Sequence, residues 1–169
     1  MIEQEFLKVS TDYLAQLSGR IEDCLGRLSA EQVWMRNSGN ENSVGNLVLH
    51  LCGNVGQWIG SAVGGKPDTR QRDQEFAARG NAPPAELAQR LAVTVAEATT
   101  IIRNLTPERL SEKTTVQQYH VTVLEVIFHV VEHFAQHTGQ IIFATKLLTG
   151  QDLGYYAHLN KPRHQETTP

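Results

Sequence analysis

Apolar residues recur along most of this chain at spacings of three, four and seven, and no segment makes a convincing strand. The pattern predicts four helices. The first runs from about Ile2 to Leu28, with Phe6, Tyr13, Leu14, Leu17, Ile21, Cys24, Leu25 and Leu28 on one face. The second runs from about Ser43 to Val63 on a regular stripe of Val44, Leu47, Val48, Leu51, Val55, Trp58, Ile59 and Ala62. Ser43 or Asn42 is its candidate N-cap, and Gly64-Gly65 ends it. The third starts at Pro83-Pro84, where the first helical turn tolerates proline, and continues to about Leu105. Thr106-Pro107-Glu108 opens a short turn. The fourth begins near Thr122, where Thr122-x-x-Glu125 reads as a capping box, and Gly150 closes it.

Long helices with single apolar faces must bury those faces against one another, and a four-helix bundle is the simplest solution. The polar connection from Gly64 to Pro84, GGKPDTRQRDQEFAARGNAP, is too long for a tight turn between antiparallel neighbours. It is expected to cross one end of the bundle with little regular structure, and Phe76 could pin it to the core. The chain divides into one domain, 1–155, and a polar, proline-containing tail, 156–169, whose last residues are expected to be mobile.

Composition narrows the function. With 40% hydrophobic and 20% charged residues in 169, the chain is ordinary globular protein. A formal net charge of −3 gives no electrostatic footprint for nucleic acid. No segment approaches the ~20 apolar residues of a membrane span, and MIEQEFLKVS lacks the basic start of a signal peptide. A cytoplasmic protein is expected. Cys24 and Cys52 are too few for a disulfide framework and read as buried thiols. Cys52 lies two residues from His50 and so points to another side of its helix.

The chemistry lies in the histidines. His129, His133 and His137 form an i, i+4, i+8 row within the apolar run FHVVEHFAQHTGQII. Residues four apart stack on one helix face, so adjacent pairs can chelate one ion. His129 and His137 stand about 12 Å apart along the axis and cannot share it. Spacing alone does not choose between 129/133 and 133/137. On the second helix Ser43, Asn46, His50, Asn54 and Gln57 form a polar edge. If that edge faces the fourth helix, His50 becomes a third ligand. Three imidazoles plus water would leave the open position of a catalytic metal site, and the ligand type suits zinc, nickel, copper or iron. Asn46, Asn54 and Gln140 are candidate orienting or pocket residues. The HExxH pattern with its glutamate base is absent, and Glu125 and Glu132 turn to other faces.

NSVGNLVLHLCGNVGQWI, RQRDQEF and above all HVVEHFAQHTGQII resemble the DinB/YfiT-like superfamily of four-helix metalloenzymes, and within it the uncharacterised DUF1572 branch. The resemblance spans nearly the whole chain. It implies an all-α, up-down-down-up bundle with the long crossover after the second helix. It implies metal ligation by His50, His133 and His137, the last followed by Gly139-Gln140, with His129 left as a pocket residue. Many superfamily members carry a second histidine directly after the last ligand, where this chain has Thr138. Related members are thiol S-transferases and a thiol-dependent isomerase. A metal-dependent transferase or hydrolase is therefore expected, with zinc or nickel, a small-molecule substrate and a low-molecular-weight thiol as partner. The alternative is a non-catalytic, stress-related metal-binding protein. A homodimer is expected in either case.

Overall fold

The computed structural model describes residues 2–80 and 82–160. The end of the polar tail, expected to be mobile, lies outside them. The chain is mostly helical. Helix α1 spans Ile2–Arg27 and buries Leu14, Ile21, Cys24 and Leu25. Helix α2 spans Val44–Val55. Its cap is Ser43, whose hydroxyl accepts from the Asn46 amide (3.1 Å) while Asn46 Oδ1 accepts from the Ser43 amide (3.2 Å). The expected helix to Val63 is instead interrupted. Residues Gly56–Ser61 form a π-helical turn, in which the Ala62 amide reaches back to Gln57 O and that of Gly64 to Ile59 O. An apolar stripe does not register one widened turn, so the sequence reads as continuous helix.

Two further differences concern the connections. The crossover is not irregular throughout, because α3, Arg72–Ala77, forms within it. A helix of six residues is too short to show a period of its own. It is held from outside: Asn46 Nδ2 donates to Glu75 O (2.9 Å) and Ala78 O (3.0 Å). The second difference is a hairpin where no strand was expected. β1, Lys113–Val116, pairs antiparallel with β2, Tyr119–Thr122, in the register Lys113↔Thr122 to Val116↔Tyr119. Strands of four residues display almost no alternation, and the Gln117-Gln118 turn lacks the Asn-Gly signal of a tight hairpin.

Helix α4 spans Pro84–Arg103 and α5 spans Val123–Thr149. The Thr122–Glu125 capping box starts α5, and Gly150 ends it at φ 66°, a left-handed cap that glycine adopts without a Cβ penalty. Helix α1 packs on α4 and α5, and α2 packs on the same two. The core between them is drawn from all four, including Leu51 and Ile59 from the second segment, Leu87 and Leu91 from α4, and Ile127, Phe134 and Ile141 from α5. The pairing of α2 with α5 sets His50 of that polar edge against the histidine row, while Asn46 and Gln57 bond to the crossover. No helix among the described residues is long and apolar enough to cross a membrane.

Candidate metal centre

His50 leaves α2 toward α5 and meets His133 and His137. One nitrogen from each of the three rings lies within 4.8 Å of the others, a group that could hold a metal ion. The ring planes meet edge to face: His50 with His133 at 74°, His50 with His137 at 86°, His133 with His137 at 88°. His129 is different. Its ring lies nearly parallel to that of His133, at 16° with centroids 5.4 Å apart, and its other side meets the Trp58 ring at 4.0 Å. Stacked faces do not converge on an ion, so the geometry brings together 133/137 and leaves 129 beside them.

Two of the three rings have their outer nitrogens fixed. His50 Nδ1 is 3.0 Å from Glu75 Oε2. A carboxylate only accepts, so the proton sits on Nδ1 and the Nε2 lone pair faces inward. Arg70 Nη2 is 3.1 Å from the same Nδ1, but both are donors, and its proton goes to Glu75 Oε2 at 2.9 Å. Arg70 Nε donates to Glu75 Oε1 at 2.8 Å, completing a two-point pair whose side chains are 4% and 10% exposed. On the other side, His137 Nδ1 donates to Gln140 Oε1 at 2.7 Å, leaving the Nε2 lone pair free. Such outer partners fix tautomer and ring orientation in metal sites.

Electrostatics agree with a neutral His133 ring. Burial first, and then the nearby His137, His50 and His129, push the His133 imidazole down to about 4. Burial also lowers His137, against the opposing hydrogen bond it donates to Gln140. Burial lowers His129. Burial alone would raise Glu75, but its bonds to Arg70 and His50 outweigh this and hold the carboxyl below its ordinary value. Near neutral pH His133 is therefore uncharged. Its Nε2 lies only 2.9 Å from the inward lone pair of His50 Nε2. Nitrogen donors so close need a proton or a cation between them, and the donor set matches imidazole-binding transition ions.

Sequence reasoning placed four residues near the rings. Gln140 holds His137. Asn46 does not touch His50; it straps the crossover that delivers Glu75. Asn54, one turn beyond His50, is buried with Oδ1 unpaired, and Trp58, a turn further, buries an unpaired Nε1. Thr138 turns away from the centre, its hydroxyl donating to Phe134 O. Glu75 and Arg70 were not singled out, although they lie in the quoted RQRDQEF segment. The signal for them was a buried candidate-ligand histidine, His50, with no orienting carboxylate on its own helix. A cavity of about 610 Å³ lies on the far side of that pair, between the Gly53 and Gly56 face of the α2 segment and Arg90 and Thr94 of α4.

The fold and site define a mostly helical protein with a candidate three-histidine metal centre between two core helices. The chain belongs to the DUF1572 family, a family of proteins of unknown function, which it matches over residues 1–164. Among solved structures it is similar to a conserved protein from Enterococcus faecalis, at a TM-score of 0.71 and 18% identity, covering 85% of this chain and 97% of that one. That likeness shows a shared fold. No curated protein matches.

Proposed function

We propose that this protein is a metal-dependent enzyme of the DinB/YfiT-like kind, a thiol S-transferase or hydrolase, whose divalent ion, zinc or nickel, is held by His50, His133 and His137. The observation that carries this reading is the convergence of three imidazole nitrogens within 4.8 Å. The outer acceptors on His50 and His137 support it. The ion, when bound, would lower the pKa of a coordinated thiol or water. The protein's own part is to hold the rings: Glu75 and Gln140 keep the Nδ1 protons outward, and Arg70 keeps Glu75 ionised. Among the described residues only three protein donors converge, which supports an open catalytic position rather than a closed structural one. The up-down-down-up bundle belongs to the same reading and is supported by the packing of α1 and α2 on α4 and α5. So does a homodimer, supported by the exposed apolar strip of Ile2 and Val9 on α1 and Phe128 on α5.

Elemental analysis and zinc titration of the purified protein test the metal. One ion per chain, lost in His133→Ala with the helical signal retained, is the expected result; absence of any stoichiometric ion overturns it. A screen of low-molecular-weight thiols against electrophiles then tests the activity. A loaded protein that turns over none of them would be the non-catalytic metal-binding alternative.

A further inference from the structure

The β1–β2 hairpin turns on two residues with positive φ, Gln117 at 49° and Gln118 at 68°. Turns of this shape favour Asn-Gly or Gly-Gly, and side chains longer than asparagine are disfavoured there. Strain at a defined position points to a role for the side chain that occupies it. Among the described residues no side-chain hydrogen bond is seen for Gln118, but Gln117 makes one: its Nε2 donates to Gln57 Oε1 at 2.7 Å, across sixty residues of chain.

Gln57 sits in the π-helical turn, and it is a junction. The same Oε1 accepts from Arg70 Nη1 at 3.0 Å, and its Nε2 donates to Asp68 Oδ2 at 2.7 Å. Arg70 spends its other two donors on Glu75, and Glu75 holds His50 Nδ1. An unbroken chain of hydrogen bonds therefore runs from the hairpin tip to a candidate metal ligand: Gln117, Gln57, Arg70, Glu75, His50. The guanidinium is planar and forked, so fixing its third direction fixes the other two. The hairpin is independently docked on the same segment, Thr114 Oγ1 donating to Ala62 O at 3.0 Å and the Tyr119 ring lying 6.4 Å from that of Trp58. The tip is thus held where Gln117 can act.

We propose that Gln117 is a positioning residue of the three-histidine centre, acting through Gln57 and Arg70 on the Glu75–His50 pair; this rests on the metal reading above. A glycine at 117 would relieve the backbone and keep the hairpin. What it would remove is the side-chain contact, so stability and metal geometry should move in opposite directions.

The test compares Gln117→Gly with Gln118→Gly in the full chain, using zinc affinity by competition and the visible spectrum of the cobalt-loaded protein. Gln117→Gly should melt no lower than wild type, bind zinc about threefold to tenfold more weakly, and shift the cobalt bands. That loss is below the 10–100-fold typical of a direct outer partner, because it acts at a remove. Gln118→Gly should gain stability with affinity and spectrum unchanged. Gln57→Ala should weaken zinc at least as much as Gln117→Gly, and adding Gln117→Gly to it should cost nothing further, as expected when one residue acts through the other. A Gln117→Gly protein with wild-type affinity and spectrum overturns the inference while leaving the metal centre standing, as do fully additive losses or an unfolded variant. Wild-type protein that takes up neither ion brings down the metal reading and this inference together.

Discussion

Glu75 Oε2 lies 3.0 Å from His50 Nδ1, twenty-five residues away in the chain. That contact makes the crossover between α2 and α4 part of the site rather than a tether between helices. The carboxylate is held by Arg70 from the same segment, and the segment is held by Asn46 from the first turn of α2. A histidine on one helix is thus oriented by a group that the next connection carries back to it.

Replacing Glu75 with alanine should therefore weaken divalent-metal binding by about 10–100-fold, the usual cost of losing an outer partner. It should also leave Arg70, 4% exposed, without its counter-charge, at a cost of about 3 kcal/mol in stability. Glu75→Gln should fall between, since its amide oxygen still accepts from His50. Zinc competition and thermal melts read the two effects separately. Wild-type affinity in Glu75→Ala would mean that His50 needs no orienting acceptor.

Gly53 gives a second route to the same pair. It lies on α2 three residues past His50, and a Cβ there would overlap Glu75 Oε1 and come within 3.0 Å of Arg70 Nε. Gly53→Ala should push the carboxylate off His50. Alanine favours a helix over glycine by roughly 1 kcal/mol, which would otherwise make the change stabilising. The expected result is weaker metal binding with no gain in melting temperature. A protein that gains stability and keeps its affinity would show that the close approach has slack.

The helices were legible because their apolar stripes run over five or more turns, and the caps at Ser43, Thr122 and Gly150 lie where composition points. The histidine row of the last long helix and His50 were legible from one helix face and a polar edge, but spacing left 129/133 and 133/137 open, and only the family resemblance pointed to the second pair. What was not legible has short-range or long-range causes. The hairpin and α3 are too short to carry a period. The π turn hides inside an unbroken stripe. Glu75 and Arg70 find His50 only through the path of the crossover, which no local pattern encodes.

Acid should loosen the metal-free protein before carboxylates titrate. The His133 imidazole is held at about 4 in the fold by burial and by neighbouring rings, against about 6.5 in an unfolded chain. Between those values the unfolded chain binds more protons than the folded one, so stability rises with pH through that window. It should be complete above about 6.5 and lost progressively as pH falls toward 4. Melts of chelator-treated protein from pH 7.5 to 4.5 would show the decline, and His133→Gln should flatten it. A melting temperature that holds constant from pH 7 to 5 would sink this account.

The choice between the two histidine pairs of α5 can be made by substitution. His129 and His133 are stacked face to face at 16°, whereas His133 and His137 cross at 88° with His50 meeting both edge-on. Among the described residues it is the second pair whose ring nitrogens lie with that of His50 within 4.8 Å of one another. His129 instead fills the space between His133 and Trp58, whose ring it meets at 4.0 Å. His137→Ala should therefore abolish stoichiometric binding, as His133→Ala should, because two remaining imidazoles hold an ion far less firmly than three. His129→Ala should keep one ion per chain with affinity within a few-fold of wild type, the remaining loss coming from a His133 ring less well packed. Elemental analysis after dialysis gives the stoichiometry and competition titration the affinity. If His129→Ala emptied the site and His137→Ala left it full, the ion would belong to the 129/133 pair, and the ring geometry described here would not be that of the loaded protein.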